Sequence, residues 1–176
     1  MTITLYEVSI GTFKKALSVL KHILEKSVEH ATAQGVDPND YVQARLCEDM
    51  LPLSFQVQTA SNIIKKSLWR VYGDEVPIWA ESWADDETTM EQLIARVQRT
   101  LDALEVVDKA SLNSREEQKF DLAMGRHGTH NLSAKFYMLN YALPNVYFHV
   151  QTAYAILRSK NVPLGKMDYL NIYLKQ

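Results

Sequence analysis

The sequence predicts an all-α protein, an antiparallel four-helix bundle with long connectors, in one domain over residues 1–176. Three observations carry this. Four long segments repeat apolar residues at steps of three and four. Almost no stretch alternates apolar and polar as a half-buried strand does. Each segment is bounded by a proline, a glycine or a capping residue.

The first segment spans about 5–33, with Ile10, Phe13, Leu17, Leu20, Leu24, Val28 and Ala31 along one face and Gly35 suited to a left-handed helix end. The second opens at Asp37-Pro38-Asn39-Asp40, where Asp37 can cap and Pro38 fills the first helical position. Its helical pattern runs over 38–72, with Cys47 as an ordinary helix residue. Pro52 must kink or break it, and Asp49 stands three residues ahead as a cap for the restart. The acidic connector 74–87 holds Pro77, Trp79 and Trp83. Two tryptophans bury too much apolar surface to stay in water, so packing over an edge of the bundle is expected.

The third helix is expected over 88–108, on Leu93, Ile94, Val97, Leu101, Leu104 and Val107. Ser114-Arg115-Glu116-Glu117 resembles a capping box, and Gly125–Asn131 reads as a loop. Phe120–Met124 and part of Ala134–Asn140 fit a small hairpin or a further helical turn equally well, so the structure of 110–143 stays open. The fourth helix is expected over 144–160. The aromatic tail beyond Pro163 is expected to dock.

Composition narrows the function classes. Hydrophobic residues make up 47% and charged residues 23%, and the net charge is −2. No basic block offers a grip on nucleic acid or an anionic membrane. No apolar run approaches the ~18 residues of a membrane span. The single cysteine and an N-terminus without signal-peptide character set a cytoplasmic expectation.

Motifs for phosphate loops, dinucleotides, zinc proteases and serine hydrolases are missing. The informative polar residue is His149, set inside Y-F-H-V-Q-T-A-Y-A-I-L, the most apolar segment. A ring there needs a buried hydrogen-bond partner, or acts as a ligand or general base. Asn145 lies one turn before it on the same face, or caps the turn after Pro144. Asp49 and Gln56 bracket Pro52 and offer polar groups on the second segment. His149, Asn145, Asp49, Gln56 and Tyr154 together form the candidate pocket. His127 and His130 (H-x-x-H) read as a solvated loop, and His22 and His30 as surface residues.

L-P-N-V-Y-F-H-V-Q-T-A-Y-A-I-L-R-S-K-N-V-P-L-G-K-M-D-Y-L near the C-terminus and R-L-C-E-D-M-L-P-L-S-F-Q-V-Q-T-A at 45–60 resemble the two signatures of an uncharacterised domain family in the DinB/YfiT-like superfamily. The resemblance implies an up-down-down-up bundle, a pocket between the second and fourth helices, and a homodimer. It also implies a divalent metal held by one histidine of the second helix and an H-x-x-x-H on the fourth, used in some relatives for thiol-linked group transfer or hydrolysis. His149 falls on the second histidine of that pair and Asn145 on the first. No histidine lies between His30 and His127, so the full triad is absent. The expectation is a degenerate metal site that binds an unknown small molecule, with no cofactor. The alternatives are a divalent-metal enzyme using His149 and Asp49, and a non-catalytic dimeric module.

Overall fold

The computed structural model describes residues 3–73 and 82–174. Helix α1 covers Leu5–Ala33, as expected. Thr4 and Glu7 close a capping box: the Thr4 hydroxyl accepts the Glu7 N–H at 3.3 Å, and the Glu7 carboxylate accepts the Thr4 N–H at 3.1 Å. Ile10, Phe13, Leu17, Leu20 and Leu24 are fully buried along its core face. Gly35 ends the run at φ +68°.

The second segment departs from expectation. Asp37 does cap, accepting the Asn39 N–H at 2.9 Å, but Pro38–Tyr41 is only a 3₁₀ turn and irregular turns follow to Pro52. Tyr41, Val42 and Ala44 are buried, but residues 45–49 are all exposed, so no buried stripe continues toward Pro52 to support a helix. Cys47 sits exposed in these turns, not on a helix. Helix α2, Leu53–Tyr72, starts directly after an extended Pro52. Asp49 does not cap it. The free N–H groups of Leu53 and Ser54 donate instead to the Ala44 and Val42 carbonyls, at 2.9 and 3.1 Å.

Pro77 and Trp79 lie outside the described residues. Trp83 is buried, with the guanidinium of Arg99 4.1 Å and the ammonium of Lys65 4.8 Å from its ring. Helix α3, Met90–Leu104, begins at a Thr89/Gln92 capping box and stops four residues short of expectation. A short helix α4 follows, Lys109–Ser114, capped by Asp108. The helical turn therefore precedes Ser114 instead of starting there.

Both open readings of the next stretch occur. Strands β1 (Lys119–Ala123) and β2 (Thr129–Ser133) pair antiparallel, with Leu122 opposite His130. Gly125 and Gly128 turn the chain between them at φ +54° and +82°. Helix α5, Ala134–Tyr137, leads through a π turn at Met138–Ala142 into α6, Leu143–Ser159. Pro144 has no N–H for the ordinary ladder, and the wider π turn sits just before it. Helix α7, Lys166–Leu174, docks on α1, where Asp168 accepts from Lys26 at 2.8 Å and contacts His22 at 3.0 Å.

The long helices pack in a closed circuit: α1 on α3, α3 on α2, α2 on α6, and α6 on α1. The fold is thus mostly helical, with one small two-stranded sheet. No helix of the described residues is long and apolar enough to cross a membrane.

Candidate functional site

His149 lies on α6, 8% exposed, where α6 meets α2. Its partner is Gln56, one turn into α2 and 3% exposed. The His149 Nδ1 and Gln56 Oε1 are 2.8 Å apart. The other end of the Gln56 amide fixes their roles. Its Nε2 donates to the Leu51 carbonyl at 3.0 Å, and a carbonyl can only accept. The amide oxygen must therefore face His149, so Nδ1 carries the proton and donates. In the neutral ring Nε2 keeps its lone pair. The Phe55 and Phe148 rings stand edge-on to the imidazole, with centroids at 6.1 and 5.3 Å.

Burial away from water pushes the His149 pKa below its ordinary value, because imidazolium loses more solvation than imidazole. The sign for stability follows. Below the ordinary histidine value of about 6.5 the unfolded chain binds this proton more readily than the folded one, so stability falls as pH drops. His149→Ala should cost roughly 1–3 kcal/mol near neutrality, by leaving the buried Gln56 oxygen unpaired. It should also flatten the loss of stability between about pH 7.5 and about pH 5.5. Urea unfolding at both pH values checks this; equal slopes in wild type and variant would refute it.

The other candidates do not join this pair. Asp49 is exposed in the turn before Pro52, and among the described residues no hydrogen bond or ion pair links it to His149. Asn145 is half-buried on the first turn of α6, which continues out of the π turn and has no free end for Asn145 to cap. Tyr154 sits away from the pair, its ring edge-on to Tyr169 at 6.3 Å, in a cleft shared with Gln151, Lys166 and Leu170. His127 is exposed on the hairpin turn and His130 is exposed on β2.

A family model described as a domain of unknown function (DUF1993) matches residues 5–170. The chain belongs to the DUF1993 family. It is also similar to a crystal structure of a DinB family member protein from Shewanella denitrificans, at 32% identity and a TM-score of 0.83, covering 94% of this chain and 91% of that one. No curated protein matches it. DUF1993 membership and DinB likeness agree with the resemblance seen in the sequence.

The metal that a DinB-like fold implies can be tested against the donors of this DUF1993 chain. Zinc takes about four ligands, mostly imidazole, thiolate or carboxylate. Among the described residues no three His, Cys, Asp or Glu side chains gather. The position facing His149 is filled by a neutral amide that is itself hydrogen-bonded. These residues do not fit a divalent metal centre.

Sequence reasoning missed a buried polar cluster of the DUF1993 chain. Arg96 on α3, 4% exposed, binds Asp85 at 2.7 Å and Glu87 at 2.6 Å, and Asn62 of α2 at 2.8 Å. The signal in the sequence was the acid run Asp85–Glu87, nine to eleven residues ahead of an arginine beside the stripe residue Val97.

Proposed function

We propose that this DUF1993 chain is a DinB-like four-helix bundle, antiparallel and up-down-down-up, that binds a small molecule at a polar pocket between α2 and α6 in place of a metal centre. The closed circuit of contacts among α1, α3, α2 and α6 supports the bundle. One observation carries the binding reading: the Gln56 amide, anchored on the Leu51 carbonyl, commits His149 Nδ1 to donation and leaves Nε2 as an acceptor. The amide thereby fixes the direction of the imidazole, as the hydrogen-bond partner behind a metal-bound histidine does, with no other candidate ligands gathered beside it among the described residues. Protein purified without a nickel column should carry no stoichiometric metal by elemental analysis. Zinc at one per chain, lost in His149→Ala, would overturn the reading.

A homodimer is a second reading, favoured by Phe148 and Leu51, which are 59% and 48% exposed. Isolated exposed apolar residues are ordinary on a monomer, but large ones grouped near a site mark contact surfaces. Light scattering at micromolar concentration should give twice the chain mass of 20.2 kDa, and Phe148→Asp should return it to one. A single-chain mass for the wild type refutes the dimer.

A further inference from the structure

The hydrogen-bond inventory of His149 has one vacancy of direction. Nδ1 is committed to Gln56. Nε2 receives no hydrogen bond from the described residues, yet it is not among their fully enclosed polar atoms without a partner. In a residue that is 8% exposed, Nε2 therefore keeps some contact with solvent. A buried acceptor of fixed tautomer and fixed direction, open at one end, is how binding sites orient a ligand through a single polar contact. The surroundings define the rest of the ligand. The flanking rings are Phe55 and Phe148, and Phe148 is 59% exposed. Among the described residues no charged side chain is hydrogen-bonded to His149 or Gln56.

We propose that His149 Nε2 accepts a hydrogen bond from an uncharged aromatic molecule carrying one O–H or N–H donor, whose ring packs against Phe55 and Phe148. The inference rests on the pocket reading given above and adds its ligand class. An anion would place negative charge against a lone pair. A fully apolar molecule would leave the lone pair desolvated and unpaired, which costs free energy that a donor recovers. Phenol has the required features in the fewest atoms. Anisole keeps the ring and oxygen and removes the donor.

The test uses the whole chain, titrated with phenol and separately with anisole. Imidazole 15N resonances and the melting temperature are the two readouts. Phenol should move the His149 Nε2 resonance saturably, leave Nδ1 nearly in place, and raise the melting temperature. Anisole should bind about tenfold more weakly or less. The inference is overturned if anisole matches phenol, if phenol binds without moving Nε2, or if neither binds saturably. His149→Phe, which keeps an aromatic ring, should abolish the phenol preference; an unchanged preference also overturns it, and the phenol–anisole comparison stands even if that variant fails to fold. Equimolar Zn²⁺ is added to apo protein as a separate arm. A Zn²⁺-driven shift of the same nitrogen refutes the underlying non-metal reading. Silence to both zinc and phenol refutes the ligand class alone.

Discussion

Arg96→Ala is expected to destabilise the protein by about 3–5 kcal/mol, the range for removing one partner of a buried ion pair. The Arg96 side chain is 3% exposed and Glu87 13%. One terminal nitrogen, Nη1, donates to Glu87 at 2.6 Å and to the Ala84 carbonyl at 2.8 Å. The other, Nη2, donates to Asp85 at 2.7 Å and to Asn62 at 2.8 Å. Among the described residues, truncation leaves the Glu87 carboxylate in low dielectric with Gln58 as its remaining side-chain donor, at 2.9 Å. Asp85 is half exposed and adds little. The cluster ties three parts of the chain together: α2 through Gln58 and Asn62, α3 through Arg96, and the segment before α3 through Ala84, Asp85 and Glu87. Its loss should therefore also loosen Trp83, whose ring lies 5.9 Å from the guanidinium. Arg96→Lys should recover only part, because a single ammonium cannot span acceptors on both sides. Lys109→Ala, breaking an exposed pair with Glu7, is the control and should cost far less. Urea unfolding of the three variants decides it. A loss for Arg96→Ala no larger than the control would mean that water, not protein, solvates these charges.

The contrast between α1 and the segment after it shows what was legible. In α1 a long stripe, a cap and a glycine all agree, and its bounds match the expected 5–33. Over 38–52 the capping signal was real and the turn at Pro38 formed, but the pattern read after it does not become a buried face, since 45–49 are exposed. Local cues then fixed a start without fixing a helix. The hairpin was readable only as one of two options, because β1 and β2 are five residues each and their pairing depends on Gly125 and Gly128 more than on alternation.

At the site, His149 was legible because a polar ring inside an apolar helix has to find a partner. Asp49 and Gln56 could not be ranked as that partner from sequence. The choice depends on how α2 begins, and backbone carbonyls at Val42 and Ala44 do the capping that Asp49 was expected to do. Arg96 was invisible for a related reason. A charged residue beside a stripe normally reads as a solvated flank, and its burial depends on acids from another part of the chain.

Tyr137→Ala is expected to cost about 3–5 kcal/mol, as other large-to-small aromatic truncations do in cores. Tyr137 is 1% exposed and sits where the hairpin, α2 and the π turn converge. Its ring stacks on Tyr141 at 5.3 Å, meets Phe120 of β1 edge-on at 5.2 Å, and lies under the Arg70 guanidinium at 5.5 Å. Its hydroxyl is 3.2 Å from both Ser67 Oγ and Arg70 Nη1 on α2. Burial raises the phenol pKa, so the group stays neutral and keeps its hydrogen. Tyr137→Phe removes only that hydroxyl and should cost about 1 kcal/mol, since Ser67 keeps its bond to the Ile63 carbonyl at 2.6 Å. The two variants thus separate packing from hydrogen bonding. They also test what holds the sheet in place. Two strands alone are marginal in water, and Phe120 loses its main ring contact when Tyr137 is cut to alanine. Amide exchange over 119–133 should then accelerate more than exchange in α1, whereas Tyr137→Phe should leave that ranking unchanged. If Tyr137→Ala unfolds in urea within about 1 kcal/mol of wild type, or if hairpin exchange does not outpace that of α1, the tyrosine does not anchor the sheet.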